Sequence, residues 1–107
     1  MSATRREQLE AMVAVDPEDR ELRYFLATEY FGLQRYGDAL HELEEYFRRG
    51  EDEGVGYKMR GVCLFHLGRK EEARASLVSG IEAARRHRHT GLAAEIAETL
   101  EELLPTR

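Results

Sequence analysis

Apolar residues recur along this chain at intervals of three and four, the spacing that places side chains on one face of an α-helix. Leu9, Met12 and Val13 form the first set, over residues 4–14, behind Thr4-Arg5-Arg6-Glu7, whose spacing is that of a capping box. Asp16 and Pro17 predict the next start: Asp16 as the cap, Pro17 at the first helical position, where its missing N–H leaves nothing unbonded. The following helix carries two stripes, Leu22, Phe25, Leu26, Tyr30 and Leu33 on one side and Tyr24, Thr28 and Phe31 on another. A helix with two faces to cover belongs in a stack, where one side meets its partner helix and the other a neighbour or a ligand.

The pattern continues past a turn flanked by Gly32 and Gly37. Ala39, Leu40, Leu43, Tyr46 and Phe47 mark an inward face over 37–48, and Arg49-Gly-Glu-Asp-Glu-Gly-Val-Gly56 then breaks the periodicity. Tyr57, Gly61, Leu64 and Leu67 predict a helix over 54–67, and Ala73, Leu77, Ile81 and Ala84 one from Glu71. Thr90 caps a final helix with Leu92, Ile96, Leu100, Leu103 and Leu104 on one face, ended by Pro105. The helix count is therefore about six, and with only two prolines the class is all-α.

Composition narrows the function. With 107 residues, 42% hydrophobic and 35% charged, the chain suits one small folded domain. A net charge of −5 and no basic stripe interleaved with aromatics predict no nucleic-acid partner. No run approaches the ~20 apolar residues of a membrane span, and MSATRREQLE has no apolar signal segment, so a cytoplasmic location and no membrane partner are expected. The single cysteine, Cys63, agrees with a reducing compartment.

Candidate chemistry is sparse. Cys63 and His66 stand one helical turn apart, and His87 and His89 add two imidazoles, but a closed zinc site needs about four ligands in tighter pairing. Cys63 reads better as a small core residue, and no third group orients a Cys/His pair. Arg85 to His89 reads as a solvated helix end suited to the helix dipole, and Glu42, Glu44, Glu45, Glu51, Asp52 and Glu53 as a solvated surface and loop. With no phosphate loop or nucleophile elbow, the expectation is a protein that is not an enzyme and has no cofactor or metal.

The pattern also repeats: Ala39 recurs as Ala73, 34 residues on. Leu26, Ala27, Tyr30, Tyr36, Ala39, Leu43 and Tyr46, then Tyr57, Gly61, Leu64, Gly68, Ala73 and Leu77, resemble the consensus of the tetratricopeptide repeat family, with Gly80 in place of an alanine. Leu9, Met12 and Pro17 match the second helix of a preceding, truncated repeat, so nearly the whole chain is similar to a small bacterial member of that family. Small residues let the helices approach closely, and large ones fill the adjoining gaps.

The resemblance implies a right-handed α-α superhelix of helical hairpins in one domain, 1–107. It comprises a partial-repeat helix 4–14, full repeats 20–53 and 54–87, and a capping helix 90–104. It implies a non-catalytic interaction module that takes a peptide or helix of a partner protein in a concave groove. Tyr24, Thr28, Phe31, Lys58, Val62, Phe65 and His66 would line that groove, and an alternative use of the same apolar stripe is a homodimer. A carboxylate clamp known in the family needs Lys and then Asn four residues later. Tyr24 with Thr28, and Lys58 with Val62, do not supply it. Arg60 stands where the family buries leucine, which predicts a carboxylate partner or a route to water and a local irregularity.

Overall fold

The computed structural model describes residues 2–106. They form six helices in chain order: α1 (Arg5–Val15), α2 (Arg20–Gly32), α3 (Tyr36–Arg48), α4 (Val55–His66), α5 (Lys70–Arg86) and α6 (Thr90–Leu103). Among the described residues there is no strand, and no helix is long and apolar enough to cross a membrane. The chain divides into two compact units, Met1–Glu51 and Asp52–Arg107, each a bundle of three helices.

In the first unit α2 packs against both α1 and α3. The Thr4 hydroxyl accepts from the Glu7 amide and the Glu7 carboxylate from the Thr4 amide, so α1 starts on the capping box. Asp16 does not cap α2. It closes α1 instead, Pro17 and Glu18 form a turn, and the Asp19 carboxylate accepts from the amides of Glu21 and Leu22. The chain needs those two residues to reverse direction before the next helix, which moves the cap from Asp16 to Asp19. Leu9, Val13, Leu26, Ala27, Tyr30, Ala39, Leu40, Leu43 and Tyr46 form this core; Phe47 is half-buried, and Phe25 and Leu33 are exposed.

Two of the expected surface acids are buried. Glu42 is 7% exposed because the Arg23 guanidinium reaches it at 3.0 Å from α2, while Arg23 Nε donates to the Pro17 carbonyl. Asp52 is 5% exposed at the start of the second unit, where one of its oxygens accepts from the amides of Gly54 (2.7 Å) and Gly56 (2.8 Å). A carboxylate held by a guanidinium or by two amides tolerates removal from water; an unpaired one would not.

In the second unit α5 packs against α4 and α6, and α4 also touches α6. Ala73, Leu77, Ile81 and Ala84 are all buried, with Cys63, Leu64, Ala83, Ala93, Ile96 and Leu104. Gly61 marks the closest crossing: a Cβ built on it would stand 2.7 Å from Leu77 Cγ and 3.3 Å from the Ala73 carbonyl. Leu67, expected inward, closes α4 and is 42% exposed. Thr90 is the first residue of α6, with His89 at the cap position. Around Arg60 the helix is regular; the side chain is half-buried, its Nε donates to the Ser76 hydroxyl at 3.0 Å, and its guanidinium lies 5.2 Å from the Tyr57 ring centre.

Candidate functional site

The seven predicted groove residues lie on α2 and α4, one set in each unit. Three pairs stand one repeat apart: Tyr24 and Lys58, Thr28 and Val62, Phe31 and Phe65. None of the seven is buried; Thr28 and His66 are exposed and the other five are half-buried.

On the first unit the face is aromatic, and α3 supports its rings. Tyr24 lies 5.2 Å from the Tyr46 ring at a tilt of 48°, and Phe31 lies edge to face 5.8 Å from the Tyr36 ring. Such ring pairs contribute about 0.5–1.5 kcal/mol each beyond the area they bury, so the rings are held in place rather than free to collapse. The Thr28 hydroxyl donates to the Tyr24 carbonyl one turn back, which turns its methyl and oxygen along the helix. Behind Tyr46, the Arg20 guanidinium sits 3.9 Å from the ring centre and donates to the carbonyls of Gly50 (2.8 Å) and Glu51 (2.9 Å). Nothing in the sequence singled Arg20 out, because a charged residue in a first helical turn is the ordinary solvated case.

On the second unit the matching positions are aliphatic and basic. Lys58 Nζ pairs with Glu95 of α6 at 2.6 Å. Both groups are partly solvated, so the pair stabilises the bundle by less than about 1 kcal/mol and leaves the ammonium open to exchange partners. Val62 sits half-buried, and Phe65 packs edge to face on His66 at 5.6 Å.

Cys63 lies behind this face with no exposure, and burial pushes its thiol up to about 12, so it stays protonated near neutral pH and is a poor nucleophile. His66 is exposed on the same helix, whereas His87 and His89 lie beyond α5, where their rings stack 6.4 Å apart. His89 Nε2 is 2.7 Å from Glu53 Oε1 and His87 Nδ1 4.0 Å from the same oxygen. The His89 hydrogen bond and the charge of His87 hold the Glu53 carboxyl below its usual range. Among the described residues no three His, Cys, Asp or Glu side chains converge as a metal site. Open depressions mark each unit: one of about 610 Å³ in the second beside Glu53, Val55 and His89, and one of about 390 Å³ in the first, lined by Ala11, Met12, Val15, Asp16 and Leu22.

In comparison with known proteins, the chain matches no family model, no curated protein and no solved structure.

Proposed function

We propose that the chain is a right-handed α-α superhelix of tetratricopeptide-like hairpins that serves as a non-catalytic adaptor, holding an apolar or amphipathic segment of another protein against α2 and α4. The observation that carries this reading is the recurrence of one surface at one period: Tyr24, Thr28 and Phe31 on the first unit stand at the same repeat positions as Lys58, Val62 and Phe65 on the second. None of these side chains is buried, and the first unit's rings are braced from behind. Pre-positioned aromatic rings lose little freedom on binding, and rigid aromatic anchors carry most of the energy in small interfaces. With few anchors per unit, a Kd of roughly micromolar order is expected.

A peptide-display selection tests the proposal. Amphipathic sequences should be enriched on the wild-type protein and should lose binding by about tenfold or more to Tyr24→Ala/Phe65→Ala, while the urea midpoint of that variant changes little. Equal binding by wild type and variant would contradict it. A large loss of stability would also count against it, by showing those rings to be core.

A further inference from the structure

The turn between α5 and α6 carries cations that, among the described residues, no acid engages. Arginines elsewhere hold carboxylates, as Arg23 holds Glu42 and Arg69 holds Glu72. Arg85 and Arg86 in the last turn of α5, and Arg88 just beyond it, are exposed, and among the described residues their side chains meet no acid, ring or hydrogen-bond partner. Three such guanidiniums in four residues make a local positive surface on a chain whose net charge is −5. The helix dipole accounts for Arg85 and Arg86. It does not account for Arg88, which stands midway between the negative end of α5 and the positive start of α6. Arg88 also holds a left-handed backbone, φ 62°, at the turn position that Gly68 occupies after α4. Glycine adopts that conformation without steric cost, so the turn itself gives no reason for an arginine.

Arg88 lines the depression of about 610 Å³ in the second unit, together with Glu53, His89 and two apolar side chains, Val55 and Leu92. Val55 is 46% exposed. The depression lies where α4 and α6 begin side by side: a Cβ on Gly54 would stand 2.8 Å from Leu92, and Lys58 reaches Glu95 one turn further along both helices. Val55, Lys58 and Val62 share one face of α4 by their spacing, so the depression opens at the N-terminal end of the proposed adaptor face.

We infer that the peptide segment held on α4 has an acidic end, an apolar residue next to carboxylates, with the apolar side chain set on Val55 and Leu92 and the carboxylates on Arg88, in the field of Arg85 and Arg86. This rests on the adaptor reading and specifies its partner. Charge selects the occupant. A guanidinium with all its N–H groups free offers a carboxylate a bidentate fit. Glu53, the one carboxylate in the lining, is already engaged by His89 at 2.7 Å and lies 4.0 Å from His87. Glu95 and Glu98 are exposed along α6, so a long polyanion extending past the arginines meets repulsion, whereas a short acidic segment does not reach them.

Fluorescence anisotropy on the full chain tests the inference with a display-selected amphipathic peptide and a copy of it in which every Asp and Glu is replaced by Asn and Gln. The acidic peptide should bind wild type about tenfold more tightly than its amide copy, and the difference should shrink as salt is raised. Arg88→Gly should remove most of that preference while the thermal midpoint stays level or rises, because glycine suits φ 62°. Arg85→Gln/Arg86→Gln, at exposed positions, should reduce it by a smaller factor, and Glu53→Gln should increase it. Selected peptides without acidic residues, equal affinity of the two peptides, or a preference that survives Arg88→Gly would overturn the inference and leave the adaptor reading standing. A selection that enriches no peptide would overturn both. Binding of oligothymidylate or of phosphatidylserine vesicles as tight as that of the acidic peptide, and equally dependent on Arg88, would overturn the choice of a peptide as the occupant.

Discussion

Partnership explains most of the burial that composition alone would not place. Glu42 and Asp52 read as solvated acids in the sequence and are buried in the structure, each because a donor reaches it: Arg23 from the facing helix, and the amides of Gly54 and Gly56. The pairing of Arg23 with Glu42 spans two helices and has no local signature, so a one-dimensional reading misses it. Arg23→Ala should cost about 2 kcal/mol or more in urea unfolding, because it leaves Glu42 desolvated without its cation, and Arg23→Met/Glu42→Leu should cost less than that single change. The ordering of those two values is the informative result.

Titration belongs to the same scale. Burial raises Cys63 and Tyr30 to about 12, and for Tyr30 a hydrogen bond to Glu10 adds to it. In both, the folded-state value lies above the unfolded one, so their contribution is complete below the unfolded values and is lost as pH rises toward about 12. The urea midpoint should therefore fall progressively above about pH 9, with Tyr30→Phe removing the part that begins near pH 10. In acid the opposite holds. Glu10, Glu18, Glu45, Glu53 and Glu72 are all lowered, chiefly by hydrogen bonds from Tyr30, Arg49 (for both Glu18 and Glu45), His89 and Arg69 respectively, and the stability they give is present above about 4.5 and lost as pH falls below it.

Among elements, the helices were legible because three-to-four spacing and small residues at crossings leave few alternatives. Ala39 and Ala73 have no exposure, and Leu43 and Leu77, one period apart, are fully buried. Ala39→Leu and Ala73→Leu should each cost about 1–3 kcal/mol by overpacking. Gly61→Ala is the sharper case: alanine gains up to about 1 kcal/mol of helix propensity, yet its Cβ would meet Leu77, itself without room to move. Net destabilisation in thermal unfolding is expected, and net stabilisation would mean the crossing is looser than its geometry implies.

Element ends were less legible than middles, and the reason is chain reversal. Asp16-Pro17 has the chemistry of a helix start, but the turn needs Pro17 and Glu18, so Asp19 takes the cap. Leu67 falls in register with the inward face of α4 but stands at its closing residue, where the helix has run out of neighbours to cover it. Arg60 illustrates a different limit. The sequence identifies a polar residue at an apolar position, and only the fold supplies Ser76 and the Tyr57 ring as its surroundings, without bending the helix.

At the scale of the molecule, α2 packs with α3 and α4 with α5, and a further helix lies beside each pair, α1 on α2 and α6 on α5. The proposed adaptor face uses Tyr24, Thr28 and Phe31 of α2, and the Tyr24 ring also meets Phe25 edge to face at 6.5 Å. The proposed face rests on the repeat read in the sequence, since its positions recur with the period. The exposure of Met12 and Phe25 was not legible, because both have the spacing of ordinary core residues and only the three-dimensional arrangement leaves them uncovered.

Partner binding through the repeated face is the central claim, and amide chemical-shift mapping with a display-selected amphipathic peptide tests it most directly. The account predicts shifts concentrated on Tyr24, Thr28 and Phe31 together with Lys58, Val62, Phe65 and His66, saturating at roughly micromolar peptide. Shifts confined to other helices, or to one of the two units alone, would contradict it.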